Sequence, residues 1–280
     1  MFVAWLALLA ALLTGCQPTQ HLSDRVAYGD WSRGTLVGRA AINEEAPLAV
    51  DPSDGSLWVA WVTQRSAGET GQAIQLARLD PSGRPLVSTP LALEAHRPSQ
   101  LRLEADPSGT LDLFWLQETA GKGLLWHAVL SAEGQVHSAA ALTPATVSVG
   151  AYATTRDPAG GVDVVWAADE ASGRSLNYLH VGSPEEVASP SIPLGVEGLA
   201  LALERDAEGT LHIAWAHEPD YGRREVRCGT LDPATGDLSE VAVLATLPVP
   251  MGQVLRGPAL GLAGDGVYVF WALERRGGGL

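Results

Sequence analysis

Trp61, Trp115, Trp166, Trp215 and Trp271 close five copies of one pattern, at spacings of 54, 51, 49 and 56 residues. A repeat of that length restricts the chain to assemblies of small, similar units that bury their faces against one another. In each copy the residues four and two before the Trp are aliphatic: Leu57 and Val59, Leu111 and Leu113, Val162 and Val164, Leu211 and Ile213, Val267 and Val269. Period two places them with the Trp on one face of a β-strand. Turn sequences precede the strand, at Asp51–Gly55, Asp106–Gly109, Asp157–Gly160 and Asp206–Gly209, with a shorter one at Ala263–Gly266. Asp, Pro and Gly each favour tight reversal, so every copy opens with a hairpin.

About 25 residues later a second hairpin follows, starting at Ile74, Leu125, Leu176 and Val226. Four strands joined in a meander make one propeller blade. The fifth copy reaches Leu280 after its first hairpin only, and the complementary half stands at the other terminus. There Val26, Tyr28 and Trp31 align with Ile74, Leu76 and Leu79. The sequence therefore predicts an all-β chain, a five-bladed β-propeller of four-stranded antiparallel blades, closed by N-terminal strands that complete the C-terminal blade. Closure leaves no free sheet edge in the ring. An open solenoid or a two-sheet sandwich is the competing architecture, and neither needs complementary termini.

Charge narrows the partners. Acidic residues exceed basic ones by 14, and Lys122 is the only lysine. Such a field repels phosphate backbones, so nucleic acid is not expected as a partner. The two cysteines, Cys16 and Cys228, allow one bridge at most and fit no zinc spacing. The seven histidines show no metal-binding spacing, and no phosphate loop, dinucleotide fingerprint or Gly-x-Ser-x-Gly elbow occurs. No cofactor, metal or catalytic set is expected, and the domain is expected to be a monomer.

Residues 1–13 are apolar throughout and Thr14-Gly15-Cys16 follows them. Thirteen residues at about 1.5 Å each fall short of the ~30 Å hydrocarbon core, as in a signal-peptide core rather than a spanning helix. Leu13-Thr14-Gly15-Cys16 resembles a bacterial lipobox, although no Lys or Arg precedes the apolar run. The resemblance implies a signal peptide over 1–15, acylation of Cys16, an anchor and linker over 16–24, and a propeller over 25–280. Several acyl chains on one cysteine make a stable anchor. It further implies an extracytoplasmic, lipid-anchored protein of the cell envelope, sent to the outer membrane where the host has one, since Gln17 rather than Asp follows the cysteine.

The Asp-x-x-Gly-x-aliphatic-x-aliphatic-x-Trp pattern resembles the repeats of sialidase-like, Asp-box-related propeller proteins. Here the Trp lies nine residues after the Asp in three copies and the leading Ser/Thr is absent. The resemblance implies fold. The arginine triad, Tyr/Glu pair and acidic proton donor of sialidases have no matching positions, so their activity does not carry over.

Three residues past each Trp stand Gln64, Glu118, Asp169, Glu218 and Glu274. The four acids among these five either ring one face of the propeller as a ligand site or are strand ends meeting water, with arginines close by. Thr63–Ala73, His217–Glu225 and Leu247–Pro258 read as the longest loops. Tyr221 and Arg223, beside Glu218, form the richest local group for stacking on and hydrogen-bonding a sugar or carboxylate. Glu104 and Glu204, with Arg102, are candidates to line the channel, where carboxylates act as acid and base or as structural ion pairs. The expected function is a membrane-anchored module that binds a ligand or an envelope protein, carbohydrate being one ligand class. A glycoside hydrolase-like enzyme and a purely structural surface protein are the alternatives. If Cys16 carries the anchor, Cys16→Ser moves the protein from the membrane to the soluble fraction; continued membrane retention on fractionation contradicts it.

Overall fold

The computed structural model describes residues 46–64, 72–86, 91–158, 160–170, 173–182, 192–193, 198–248, 253–264 and 266–275, all inside the compact unit Arg39–Leu280. The signal peptide, Cys16, the linker and the Val26–Gly38 strands lie outside the described residues. Among the described residues there is no helix, and so none long and apolar enough to cross a membrane.

Five antiparallel sheets succeed one another along the chain. The first holds β1 (Leu48–Val50), β2 (Leu57–Gln64), β3 (Gln72–Leu79) and β4 (Leu91–Ala95). β5 (Pro98–Ala105), β6 (Leu111–Thr119), β7 (Lys122–Leu130) and β8 (Val136–Ala141) form the second. The third is β9 (Ser148–Arg156), β10 (Val162–Glu170), β11 (Gly173–Val181) and β12 (Ile192–Pro193). The fourth comprises β13 (Ala200–Arg205), β14 (Leu211–Asp220), β15 (Arg223–Leu231) and β16 (Leu238–Pro248). The fifth has two described strands, β17 (Gln253–Ala263) and β18 (Gly266–Arg275). Each strand pairs with its sequence neighbour, the meander expected of a propeller-type fold.

The repeat pattern appears as packing. Trp61, Trp115, Trp166 and Trp215 are buried on the second strands of their sheets. Leu111, Leu113 and Trp115 of the second sheet pack with Trp58, Ala60 and Val62 of the first. The third sheet repeats this, its Val162, Val164 and Trp166 clustering with Phe114 and Leu116 of the second. Leu211, Ile213 and Trp215 meet Val165, Ala167 and Tyr178 in the same way. The core is thus a series of layers between consecutive sheets, with the Trp face of each later sheet laid on the other face of the earlier one. On the two-stranded fifth sheet Trp271 is 38% exposed, and Tyr268 and Phe270 are exposed as well.

The Asp-x-x-Gly turns form as the sequence requires. Asp106, Asp157 and Asp206 accept from the N–H of Gly109, Gly160 and Gly209 through their backbone carbonyls, and these glycines have φ of 86°, 120° and 88°. Side chains other than glycine are strained there. One expected loop is strand instead, as are the described residues of a second, whose positions 249–252 lie outside the described residues. β14 and β15 run through 217–225 and turn only at Tyr221-Gly222, where Gly222 has φ of 77°, and β16 and β17 occupy most of 247–258. Pairing between His217 and Glu225 carries the ladder past the polar run, because backbone hydrogen bonding tolerates polar side chains at a sheet end.

Buried charge ties adjacent sheets together beside these turns. Arg156, ending β9, donates from Nη2 to Oδ2 of Asp112 on β6 at 2.7 Å and to the Glu104 carbonyl at 2.8 Å. His127 Nε2 lies 2.7 Å from the other Asp112 oxygen. One boundary on, Arg205 donates from Nη2 to Asp163 at 2.5 Å, while the Tyr178 hydroxyl donates to the second Asp163 oxygen at 2.7 Å. Arg78 joins the first two sheets, pairing with buried Asp51 at 2.8 Å and donating to the Ala132 carbonyl at 2.9 Å. Removing the arginine takes the balancing charge from a buried aspartate, which keeps only contacts within its own sheet. Arg205→Ala should therefore lower unfolding free energy by about 3–5 kcal/mol in chemical denaturation. Adding Asp163→Asn to it should recover part of the loss.

Candidate functional site

The first strand of every sheet contributes to one cavity of about 370 Å³. β1 supplies Pro47 (just before it) and Leu48, β5 Arg102 to Glu104, β9 Ala153 and Thr154, β13 Leu201 to Glu204, and β17 Pro258 to Leu260. Leu103, Thr154, Leu203 and Leu260 pair with Leu113, Val164, Ile213 and Val269, so they hold equivalent register positions two residues before the Trp. Leucine, proline and alanine make up most residues of the wall, but polar atoms make up more of its surface than apolar ones do. Glu104 and Glu204 stand one residue nearer the tight turns, opposite Asp112 and His212.

The two carboxyls differ in support. Glu104 Oε1 accepts from the Thr154 hydroxyl of the neighbouring sheet at 2.6 Å. Burial pushes the Glu104 carboxyl above its ordinary pKa; the Thr154 hydrogen bond and the Arg156 charge oppose that, whereas Glu204 and Asp112 add to it. Burial also raises Glu204, which has no hydrogen bond or ion pair among the described residues. Arg102 is exposed, borders the same cavity and is likewise without either kind of partner among them.

The acids on the second strands are placed differently. Glu118 pairs with Arg97 at 3.0 Å, Asp169 with Arg174 at 2.8 Å, Glu218 with Arg224 at 3.4 Å and Glu274 with Arg256 at 2.6 Å. Arg223 lies 3.4 Å from Glu225, and Tyr221 projects from its turn with 91% exposure. Each acid thus meets a local arginine at a strand end, an arrangement worth little energy in water. Among the described residues, the groups close enough together to hold a metal are Asp157, Asp163 and His180, within 4.8 Å of one another. Arg205 already balances that cluster, at 2.5 Å from Asp163 and 3.4 Å from Asp157.

Sequence reasoning found Glu104, Glu204 and Arg102 but missed the buried pairs beneath them. The signal was in the repeat columns. Asp112 and Asp163 each stand six residues after the turn Asp, and Arg156 and Arg205 each stand immediately before the next one.

Neither a protein-family model nor a curated protein sequence matches this chain. Among solved structures, it is similar to a protein of unknown function from Dyadobacter fermentans DSM 18053, with a TM-score of 0.55, 11% identity, and 83% of this chain and 72% of that one covered. It also overlays an endo-arabinase from Bacteroides thetaiotaomicron at a TM-score of 0.44 and 15% identity, covering 67% of this chain and 74% of that one. For the Hadza microbial sialidase Hz136 the TM-score is 0.46 at 9% identity, covering 69% of this chain and 48% of that one. At such identities the likeness is one of fold.

The raised Glu204 gives a signed prediction. Because folding raises its pKa, the native protein holds that proton more tightly than the unfolded chain does. The cost of keeping Glu204 ionised is absent below the ordinary carboxylate range and complete above the raised value. Glu204→Gln should therefore raise Tm at neutral pH and give no gain in acid, read from thermal unfolding across a pH series.

Proposed function

We propose that this chain is a lipid-anchored protein of the cell envelope whose five blades close into a ring and capture a small polar ligand in the axial cavity. One observation carries the reading: all five sheets send their first strand to one cavity, and two charged side chains of its lining, Arg102 and Glu204, have no hydrogen bond or ion pair among the described residues. A concave site with a few placed polar groups is the usual form of a small-molecule site. Ring closure is supported by the alignment of Val26, Tyr28 and Trp31 with third-strand positions and by the exposed apolar residues of β18. The anchor rests on the lipobox at Cys16, and the membrane is then reached through lipid rather than through a spanning segment.

A second reading, a hydrolase of the glycosidase type, draws on Glu104 and Glu204 sharing the cavity with raised pKa values, since such enzymes keep one carboxyl protonated and another ionised. Calorimetry on a panel of saccharides, nucleosides and amino acids, with parallel assays on aryl glycosides, separates the two. Binding without turnover that disappears when Ala202→Trp fills the cavity is the expected result. Binding that survives Ala202→Trp places the ligand elsewhere and contradicts the axial site. Turnover abolished by Glu104→Gln or Glu204→Gln replaces the binding reading with the enzymatic one.

A further inference from the structure

Opposite charges that share a cavity pair with each other unless the scaffold keeps them apart. Arg102 sits on β5 in the second sheet and Glu204 on β13 in the fourth, with β9 of the third sheet between them in chain order. Their strands are fixed by ladders to β6 and β14, and no ion pair forms between them. Glu104 already has a hydrogen-bond donor, the Thr154 hydroxyl of β9. Glu204 and Arg102 are then the charged side chains of the cavity with neither a hydrogen bond nor an ion pair among the described residues, on a lining in which most residues are leucine, proline or alanine.

We infer that the ligand is a small zwitterion of the amino-acid type, its ammonium group on Glu204 and its carboxylate on Arg102. The inference rests on the axial cavity being the ligand site. An ammonium group offers three donors to a carboxylate that has none, and a guanidinium presents a fork suited to a carboxylate. The leucine, proline and alanine walls receive the apolar part of the ligand. A hard cation such as calcium is a poorer match, since it takes six to eight oxygen ligands and the side chains here supply two carboxyls and one hydroxyl. A neutral sugar would leave the partly buried Glu204 carboxylate without a counterion, whereas Arg102 is exposed to water.

The test is calorimetric titration of the mature protein with each of the twenty L-amino acids, then with the N-acetyl and methyl ester forms of any that bind. The expected result is that at least one free amino acid binds and that both blocked forms bind at least tenfold more weakly. Glu204→Gln should weaken the free amino acid at least tenfold while leaving the N-acetyl form unchanged. Arg102→Gln should do the same with the methyl ester as the unaffected form. Equal binding of free and blocked forms, or binding of no free amino acid, overturns the inference. A saccharide whose binding is lost in Ala202→Trp would overturn the zwitterion and keep the axial site; an absence of all binding across the panel would overturn both.

Discussion

Everything in this molecule depends on the contact between consecutive sheets. A single four-stranded antiparallel sheet cannot bury both its faces, so each must borrow a surface from the next. The Trp and its two aliphatic companions supply one half of that contact in the second, third and fourth sheets, and the alternate residues of the preceding sheet supply the other. Trp115 and Trp215 are among the largest fully buried side chains described. At the fifth sheet the same Trp position, Trp271, is 38% exposed.

Apolar layers alone leave the angle between sheets loosely set, and the buried Asp112–Arg156 and Asp163–Arg205 pairs add direction. Each arginine reaches back from the start of a turn to the sheet before it, and each aspartate is also held by a side chain of its own sheet, His127 or Tyr178. Burial works against the Arg205 charge, but the hydrogen bond and charge of Asp163, with Asp157, more than offset it and keep its pKa raised. The same geometry brings the first strands together around the cavity. Glu104 belongs to both systems, its carboxyl facing Thr154 and its carbonyl accepting from Arg156. Glu104 thus joins the buried ion pair beneath it to the wall of the cavity.

The repeat made the strand order, the tight turns and the Trp layers legible, because period-two hydrophobicity and Asp-x-x-Gly turns are local signals. The expected channel acids were legible for the same reason, since Glu104 and Glu204 occupy one column of the repeat. Two things were not. Tyr221-Gly222 read as the centre of a long loop, because its polar flanks hide a ladder that backbone groups alone maintain. The partnerships of Arg156 and Arg205 join residues more than forty positions apart, and no single window of sequence contains both ends. Likewise Glu118, Asp169, Glu218 and Glu274 form a column as regular as any, yet each ends in a local ion pair, so regular spacing identified equivalent positions without identifying their task.

The central claim is that the five sheets surround a common axis, so that the first and fifth are neighbours. Spin labels on the exposed turns report this directly, in a background of Cys16→Ser and Cys228→Ser. One pair would join Ser53→Cys of the first sheet to Ser108→Cys of the second, and another Ser53→Cys to Ala263→Cys of the fifth. A closed ring predicts that the two pairs give similar distances by electron double resonance. A first-to-fifth distance far longer than the first-to-second one would mean an open arc, and the axial cavity would lose its meaning as a site.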